Sequence, residues 1–325
     1  MEADIPQKEK IMARRYGTPY KGSKNQIAEW VYSHFPKATN FYDLFAGGCA
    51  ITQIALMKSE YKNYFCNDID NDGIRLFLDA IHGKYANEKR WISREDFYRL
   101  KDSEPYIRYC WSFGNNGRDY LYSKEIEPYK KAWHYAISEN DFSFAEKMGI
   151  DLSEIKEYSD ITDRYLKSKK ILKKHYNSEN YTRCIEIERE QQLESLNRLQ
   201  SLQSLQSSNL SYDEVKIYKD SVIFCDIPYV NTNRYGSKKD NAGFDHSKFY
   251  EWCEKQTELV LISEYQMTDD FICIDKIKKR SLICADSSKC TDKEEKLFIP
   301  KHQEELYKGM MSRPKAGELD FSEVA

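Results

Sequence analysis

The sequence predicts an α/β fold: an open, largely parallel, Rossmann-like sheet that carries a mostly helical insertion. Three observations predict it. Residues 40–68 run strand, glycine turn, helix, strand, acid, which is how a nucleotide-binding sheet opens. Continuous apolar runs of the buried-strand type return at 221–226 and 259–265. Between these halves, from about 124 to 210, glycine and proline nearly vanish and Lys, Glu, Gln and Ser dominate.

Taken in order, residues 20–34 read as a helix, with Ile27, Trp30 and Val31 on one stripe. NFYDLFAGG, 40–48, is a short apolar strand ending in a glycine turn, and Ile51, Ile54, Ala55 and Leu56 mark the helix after it. NYFCND, 63–68, is a second strand closed by an acid. Residues 71–82 are helical, with Ile74, Phe77, Leu78 and Ile81 on one face. IRYCWSF, 107–113, reads as a strand running into the loop GNNG. Leu193, Leu196, Leu199, Leu202 and Leu205 recur every three residues, an imperfect helical stripe suited to packing. SVIFCD is a buried strand leading into IPY, DHSKFYEWCEKQ a helix capped by Asp245, and LVLISEY another strand. FICIDKIKKRSLI and EKLFIPK form a closing β-hairpin. The predicted division is one domain from 1–115 and 212–325, with a helical insertion at 116–211.

Hydrophobic residues make up 40% of the chain and charged residues 32%, a composition that buries a core and leaves a polar surface. The sequence lacks an apolar run long enough to span a membrane, and its first residues lack the apolar centre of a secretory signal. A cytoplasmic protein is expected. Cysteines stand at 49, 66, 110, 184, 225, 253, 273, 284 and 290. An odd number without a CxxC pair points away from disulfides and from a metal site, towards buried thiols in a reducing compartment. The net charge of −3 does not by itself announce a polyanion partner. The run from Arg164 to Lys174 holds Lys167, Lys169, Lys170 and Lys173 as well, and reads either as a solvated helix face or as a surface for phosphates.

Two constellations carry chemistry. The first is DLFAGGCA, 43–50, with Asp68 beyond it. A glycine turn lets backbone approach a ligand, and an acid at the next strand tip can accept both hydroxyls of a ribose. The absence of GxGxxG disfavours a pyrophosphate; two acids suit S-adenosyl-L-methionine, which carries a ribose and a cation but no phosphate. The second is DIPY, 226–229, after a buried strand. The Asp226 carboxylate and the Ile227 carbonyl can each accept one N–H of an exocyclic amine such as N6 of adenine. Those two bonds favour a pyramidal nitrogen with a localised lone pair. Tyr229 can stack on the base. A lysine-bearing stretch, PYKGSKNQI at 19–27, stands upstream.

In this order the three motifs resemble the Dam-type family of adenine-N6 DNA methyltransferases of bacteria and phages. The resemblance spans about residues 16–120 and 215–300. It implies a seven-stranded S-adenosylmethionine-dependent methyltransferase sheet with an inserted target-recognition domain, here mostly helical. It implies methyl transfer to N6 of adenine in double-stranded DNA with base flipping. It further implies the cytoplasm of a bacterial cell or phage-infected host, no metal, and action as a monomer or as a dimer on DNA. Residue by residue, it places Tyr20 and Lys24 at the cofactor, and Asp43, Phe45, Ala46 and Gly47 around its methionine part. Asp68 falls at the ribose and Ile69 near the adenine ring. Asp226, Ile227, Pro228 and Tyr229 fall at the target base, with Asp226 also facing the cofactor. WSFGNNG, 111–117, resembles the loop before the family's recognition hairpin, which brings Asn115, Asn116 and Arg118 near DNA. Lys169, Lys170 and Lys173 are the expected contacts to its backbone. Two departures stand out. DIPY replaces the usual DPPY, at a position that contributes only a carbonyl, and a helical stretch follows the FGNNG loop where the hairpin is expected. An RNA adenine methyltransferase, a DNA-binding protein with a decayed site and a protein-amide methyltransferase, whose similar tetrapeptide begins with asparagine where Asp226 stands here, are the competing readings.

Overall fold

The computed structural model describes residues 15–176, 179–199, 205–229, 243–279 and 293–313. Leu202, Cys284 and Cys290 lie outside them. The chain divides into two compact units, Met1–Gly22 with Arg75–Gln200, and Ser23–Ile74 with Ser201–Ala325.

The second unit contains a seven-stranded mixed sheet. Its strands are β1 (Asn40–Asp43), β2 (Asn63–Asn67), β3 (Leu205–Ser208), β4 (Ser221–Cys225), β5 (Leu259–Glu264), β6 (Phe271–Lys279) and β7 (Lys293–Pro300). Their order is β3-β2-β1-β4-β5-β7-β6. The first five run parallel, and β7 is antiparallel to both β5 and β6. β1, β4 and β5 are buried at every residue, which is why they read as unbroken apolar runs. One core cluster joins Tyr42, Leu44, Ile223, Cys225, Val260 and Ile262 to Phe249 and Cys253 of the helix His246–Glu254. The Asp245 carboxylate caps that helix by accepting from Lys248 N at 3.0 Å. From β1 the chain moves outward to β2 and β3, then returns to lay β4 on the other side of β1. The strand order therefore reverses between β1 and β4, where open α/β sheets bind their ligands.

The first unit is helical among the described residues, apart from one isolated β-bridge between Ser112 and Tyr120. Its core gathers Trp133, Ile137, Leu152, Ile155, Tyr165 and Leu172.

Four expectations are corrected. The helix predicted over 20–34 is confined to Ala28–Ser33; before it the backbone turns, with Ile27 N bonded to Lys24 O at 3.0 Å. The strand predicted at 107–113 is the helix Pro105–Cys110. Proline presets φ for a first helical position, and the aromatic and branched residues that mimic a strand are buried in succession. The leucine repeat is not one stripe. Leu193 and Leu196 are buried on the helix Ile185–Leu196, Leu199 lies in a following 3₁₀ turn, and Leu205 opens β3. A period of three fits a 3₁₀ turn better than an α-helix. Lastly, the predicted cuts at 115/116 and 211/212 fall inside the two units. The helices of residues 94–110 belong with 116–200, because Tyr106 Oη donates to Glu190 at 2.9 Å and Arg189 reaches the Cys110 carbonyl. β3 belongs to the sheet.

Candidate active site at the carboxyl edge of the sheet

Three carboxylates stand at the carboxyl ends of adjacent parallel strands. Asp43 ends β1, Asp68 follows β2 and Asp226 follows β4. Asp43 is buried and accepts from Thr52 N at 3.1 Å and Thr52 Oγ1 at 2.7 Å. It thereby occupies the first turn of the helix Ala50–Lys58, the position a phosphate would take. Asp68 accepts from Gly47 N through Oδ2 and from Asp70 N through Oδ1, each at 2.8 Å. Gly47 has φ +47°, so the turn that aims its N–H at Asp68 lies in the left-handed region that glycine enters without strain. Burial pushes the Asp43 carboxyl up to about 7 and that of Asp68 up to about 6, and repulsion among the three acids adds to it.

Lys24 enters from the turn before Ala28–Ser33. Its Nζ donates to Asp226 Oδ1 at 2.7 Å and lies 4.7 Å from the centre of the Tyr229 ring. Lys24 is only 4% exposed. Burial alone pulls its ammonium down, but Asp226 and Glu295 outweigh it and the pKa ends above the ordinary value. Tyr229 is anchored at its far end, where Oη donates to Glu295 of β7 at 2.6 Å and lies 3.2 Å from Ser263 Oγ of β5. Tyr265 meets its ring edge-on at 4.4 Å. Burial, Asp226 and Glu295 push the Tyr229 phenol up, so it stays neutral. Ile227 is buried, and its carbonyl receives no hydrogen bond among the described residues. Pro228 is exposed and its carbonyl accepts from His246 Nε2 at 2.9 Å.

The rest of the edge comes from β3. Asn209 Nδ2 donates to the carbonyls of Asp68 and Ile69 at 2.8 and 2.9 Å, which fixes the strand tip. Ile69 stands 66% exposed beside it. Ala46 is buried in the turn, and Phe45 stacks on Tyr212 at 5.5 Å. Sequence reasoning missed Glu295, Ser263, Asn209 and Tyr212. They are ordinary polar residues on strands and loops remote in sequence, and only the sheet order brings them here.

Tyr20 belongs to the first unit, where its ring lies 5.1 Å from that of Tyr109. Asn115, Asn116 and Arg118 share a short loop there. Arg118 is exposed. Asn116 spends its amide within the loop, accepting from Arg118 N and Asp119 N and donating to Asp119 Oδ2. Asn115 Oδ1 is shielded and has no hydrogen-bond partner among the described residues. Lys170 and Lys173 are exposed on the helix Ile161–His175, and Lys169 lies over Tyr165 at 5.7 Å. Arg164 leaves the supposed phosphate surface: it is buried and donates to the carbonyls of Ile137, Tyr158 and Ser159. Among the described residues no group of His, Cys, Asp and Glu could hold a metal ion, and no helix is long and apolar enough to cross a membrane.

Chemically, this edge sets the acids Asp43, Asp68, Asp226 and Glu295 against the Lys24 ammonium. It favours a cationic ligand over a phosphate, and it holds a carboxylate beside a peptide oxygen and a neutral aromatic ring. A family model described as D12 class N6 adenine-specific DNA methyltransferase matches residues 20–266, well over half of the chain. No curated protein sequence matches it. The matched span runs from the PYKGSK stretch through β5 and takes in Lys24, the three strand-end acids and Tyr229. With the sheet order and that span together, the chain belongs to the D12 class N6 adenine-specific DNA methyltransferase family.

Proposed function

We propose that this enzyme transfers the methyl group of S-adenosyl-L-methionine to N6 of an adenine turned out of double-stranded DNA. The observation that carries the reading is the Lys24–Asp226 ion pair, at the tip of β4 beside the acids of β1 and β2. S-Adenosyl-L-methionine supplies, when bound, a methyl group already activated on a cationic sulfur. Asp43 and Asp68 fit such a ligand, since burial strips their charged forms of solvent, the neighbouring acids add repulsion, and a cation would offset both. Asp68 would hold the ribose, Ile69 would cover the adenine ring, and Phe45, Ala46 and Gly47 would line the methionine end.

Asp226 accepts one hydrogen of the target amine while it holds Lys24, because a carboxylate offers about four lone-pair sites. The Ile227 carbonyl accepts the other hydrogen. Lys24 remains protonated, so it does not take the proton that the methylated amine must lose. Tyr229 supplies a ring for the extruded base, and base–aromatic stacking is worth about 1–3 kcal/mol. That offsets part of the few kcal/mol that extrusion costs. Asn115, Arg118 and the lysines Lys169, Lys170 and Lys173 would meet DNA, the lysines as phosphate contacts that position without reading sequence.

The direct test is expression in a methylation-free bacterial host followed by sequencing for modified adenines. The reading expects N6-methyladenine at a defined motif. Methyl incorporation into RNA but not into duplex DNA would replace it with RNA methylation. No heat on titration with S-adenosyl-L-methionine would mark a decayed site. A cytoplasmic place of action follows from the substrate.

A further inference from the structure

The helix Ile185–Leu196 has an unusual inner surface. Glu186, Arg189, Glu190 and Gln192 are all buried, although each is charged or amide-bearing. Buried polar side chains persist where they are hydrogen-bonded, and each has a distinct task. Glu186 accepts from Tyr122 Oη, and Glu190 from Tyr106 Oη at 2.9 Å. Gln192 Nε2 donates to Gly17 O at 2.7 Å.

Arg189 is different, because its partners are all backbone. It is 7% exposed, and Nη1 donates to Cys110 O at 2.5 Å and to Ser112 O at 3.0 Å. These carbonyls sit where the helix Pro105–Cys110 ends, and a helix end leaves its last carbonyls without partners. They are also the root of the FGNNG loop. From Ser112 onward the loop is tied to itself. Ser112 Oγ accepts from Gly117 N at 3.0 Å, Phe113 N donates to Asp119 O at 2.8 Å, and Leu121 N donates to Trp111 O at 2.9 Å. Gly114, Asn115 and Gly117 all have positive φ. The loop is therefore a stiff body that presents Phe113, 62% exposed, together with Arg118. Among the described residues of the first unit, the polar bond that joins this body to the helix Ile185–Leu196 is the one from Arg189 to Ser112 O. Burial pulls the guanidinium down to about 10, which leaves it charged at neutral pH.

We propose that Arg189 is a positioning residue for the DNA substrate: it sets the root of the 112–120 loop and so fixes where that loop meets the duplex. This deepens the reading that the loop contacts DNA, and it rests on it. Both bonds leave the single Nη1, whose N–H groups are held in the rigid guanidinium plane, whereas a lysine ammonium is a point donor on a flexible stem.

The test uses the full-length enzyme, duplex DNA and S-adenosyl-L-methionine, with Arg189→Lys and Arg189→Met alone and in a Phe113→Ser, Arg118→Ala background. Thermal melting accompanies each variant. The expected result is a rise of about tenfold in KM for DNA for Arg189→Met, since small misplacements of a positioning element carry effects of this size or larger. KM for S-adenosyl-L-methionine stays put and Arg189→Lys falls between. In the loop background the Arg189 substitutions add nothing, as expected of residues acting through one element. If the loop variant raises KM for DNA and both Arg189 variants fold and match wild type, the proposal is overturned and the loop reading stands. If the loop variant itself matches wild type, the loop reading falls and takes the proposal with it. If Arg189→Met fails to fold, Arg189→Lys decides. An unchanged KM for DNA, or equal rises in both KM values, marks a purely structural residue and overturns the proposal.

Discussion

The Lys24 ammonium lies 2.7 Å from the Asp226 carboxylate, across 202 residues of sequence. The residue expected at the cofactor is thereby bonded to the residue expected to grip the target amine. Removing the cation takes from Asp226 its ion-pair partner and from Glu295 a nearby positive charge. Lys24→Met is expected to lower kcat on the order of 10²-fold, the effect of losing one fixed electrostatic group in an active site. Lys24→Arg should lose less, and steady-state kinetics decides. Unchanged turnover in Lys24→Met would remove the ion pair from the mechanism.

Asp226→Ala is expected to abolish methyl transfer to duplex DNA while titration with S-adenosyl-L-methionine still shows heat. The same change removes a repelling charge from Asp43 and Asp68, so their carboxyls should titrate at lower pH. Methyl transfer at the wild-type rate would refute the assigned role.

Cofactor binding should depend on pH. Asp43 and Asp68 are raised from 3.8 to about 7 and about 6, so the folded unit holds more protons than the unfolded chain between about 4 and 7. Their contribution to stability is thus fully present below pH 4 and is lost as pH rises through 6 to 7. A cationic ligand needs the ionised acids, so its affinity runs the other way. The dissociation constant for S-adenosyl-L-methionine should rise by up to about tenfold per pH unit as pH falls from 7 to 6, the slope for one linked proton, and more steeply below 6 as Asp68 takes up a second. Calorimetry at pH 5.5, 6.5 and 7.5 in matched ionic strength checks it, and a flat profile contradicts it.

Tyr229 separates ring from hydroxyl. Tyr229→Phe keeps the ring but drops the bond to Glu295, and a modest loss of rate is expected. Tyr229→Ala removes the platform, with a loss of about 1–3 kcal/mol in kcat/KM for DNA. Equal losses in the two variants would mean that the anchor, not the ring, matters.

Gly117 has φ +68°, and an added Cβ would lie 3.0 Å from Arg108 Nε and 3.1 Å from its Cγ. Gly117→Ala is expected to cost about 1–2 kcal/mol, mostly from the backbone conformation, since the arginine can shift. A drop in Tm of several degrees with a raised KM for DNA is the expected signature. A Tm equal to wild type would show that the loop adapts.

The sequence by itself determined the sheet apart from β3, including its closing hairpin, and the acids at its edge. β1, β2, β4 and β5 are announced by apolar runs, Asp43, Asp68 and Asp226 by their places after such runs, and the helix His246–Glu254 by Asp245. These signals are local, because strand burial and capping leave marks within a few residues. The tertiary structure decided the rest. β3 is half polar at an edge and carries no apolar run, so only its pairing with β2 reveals it. The helix at 105–110 imitates a strand in composition until its packing shows otherwise. Lys24 meeting Asp226, Glu295 anchoring Tyr229 and Arg189 holding the FGNNG loop are contacts between segments far apart in the chain. A charged side chain announces its charge in sequence but not the partner that burial obliges it to find, and that partner is chosen only when the elements pack.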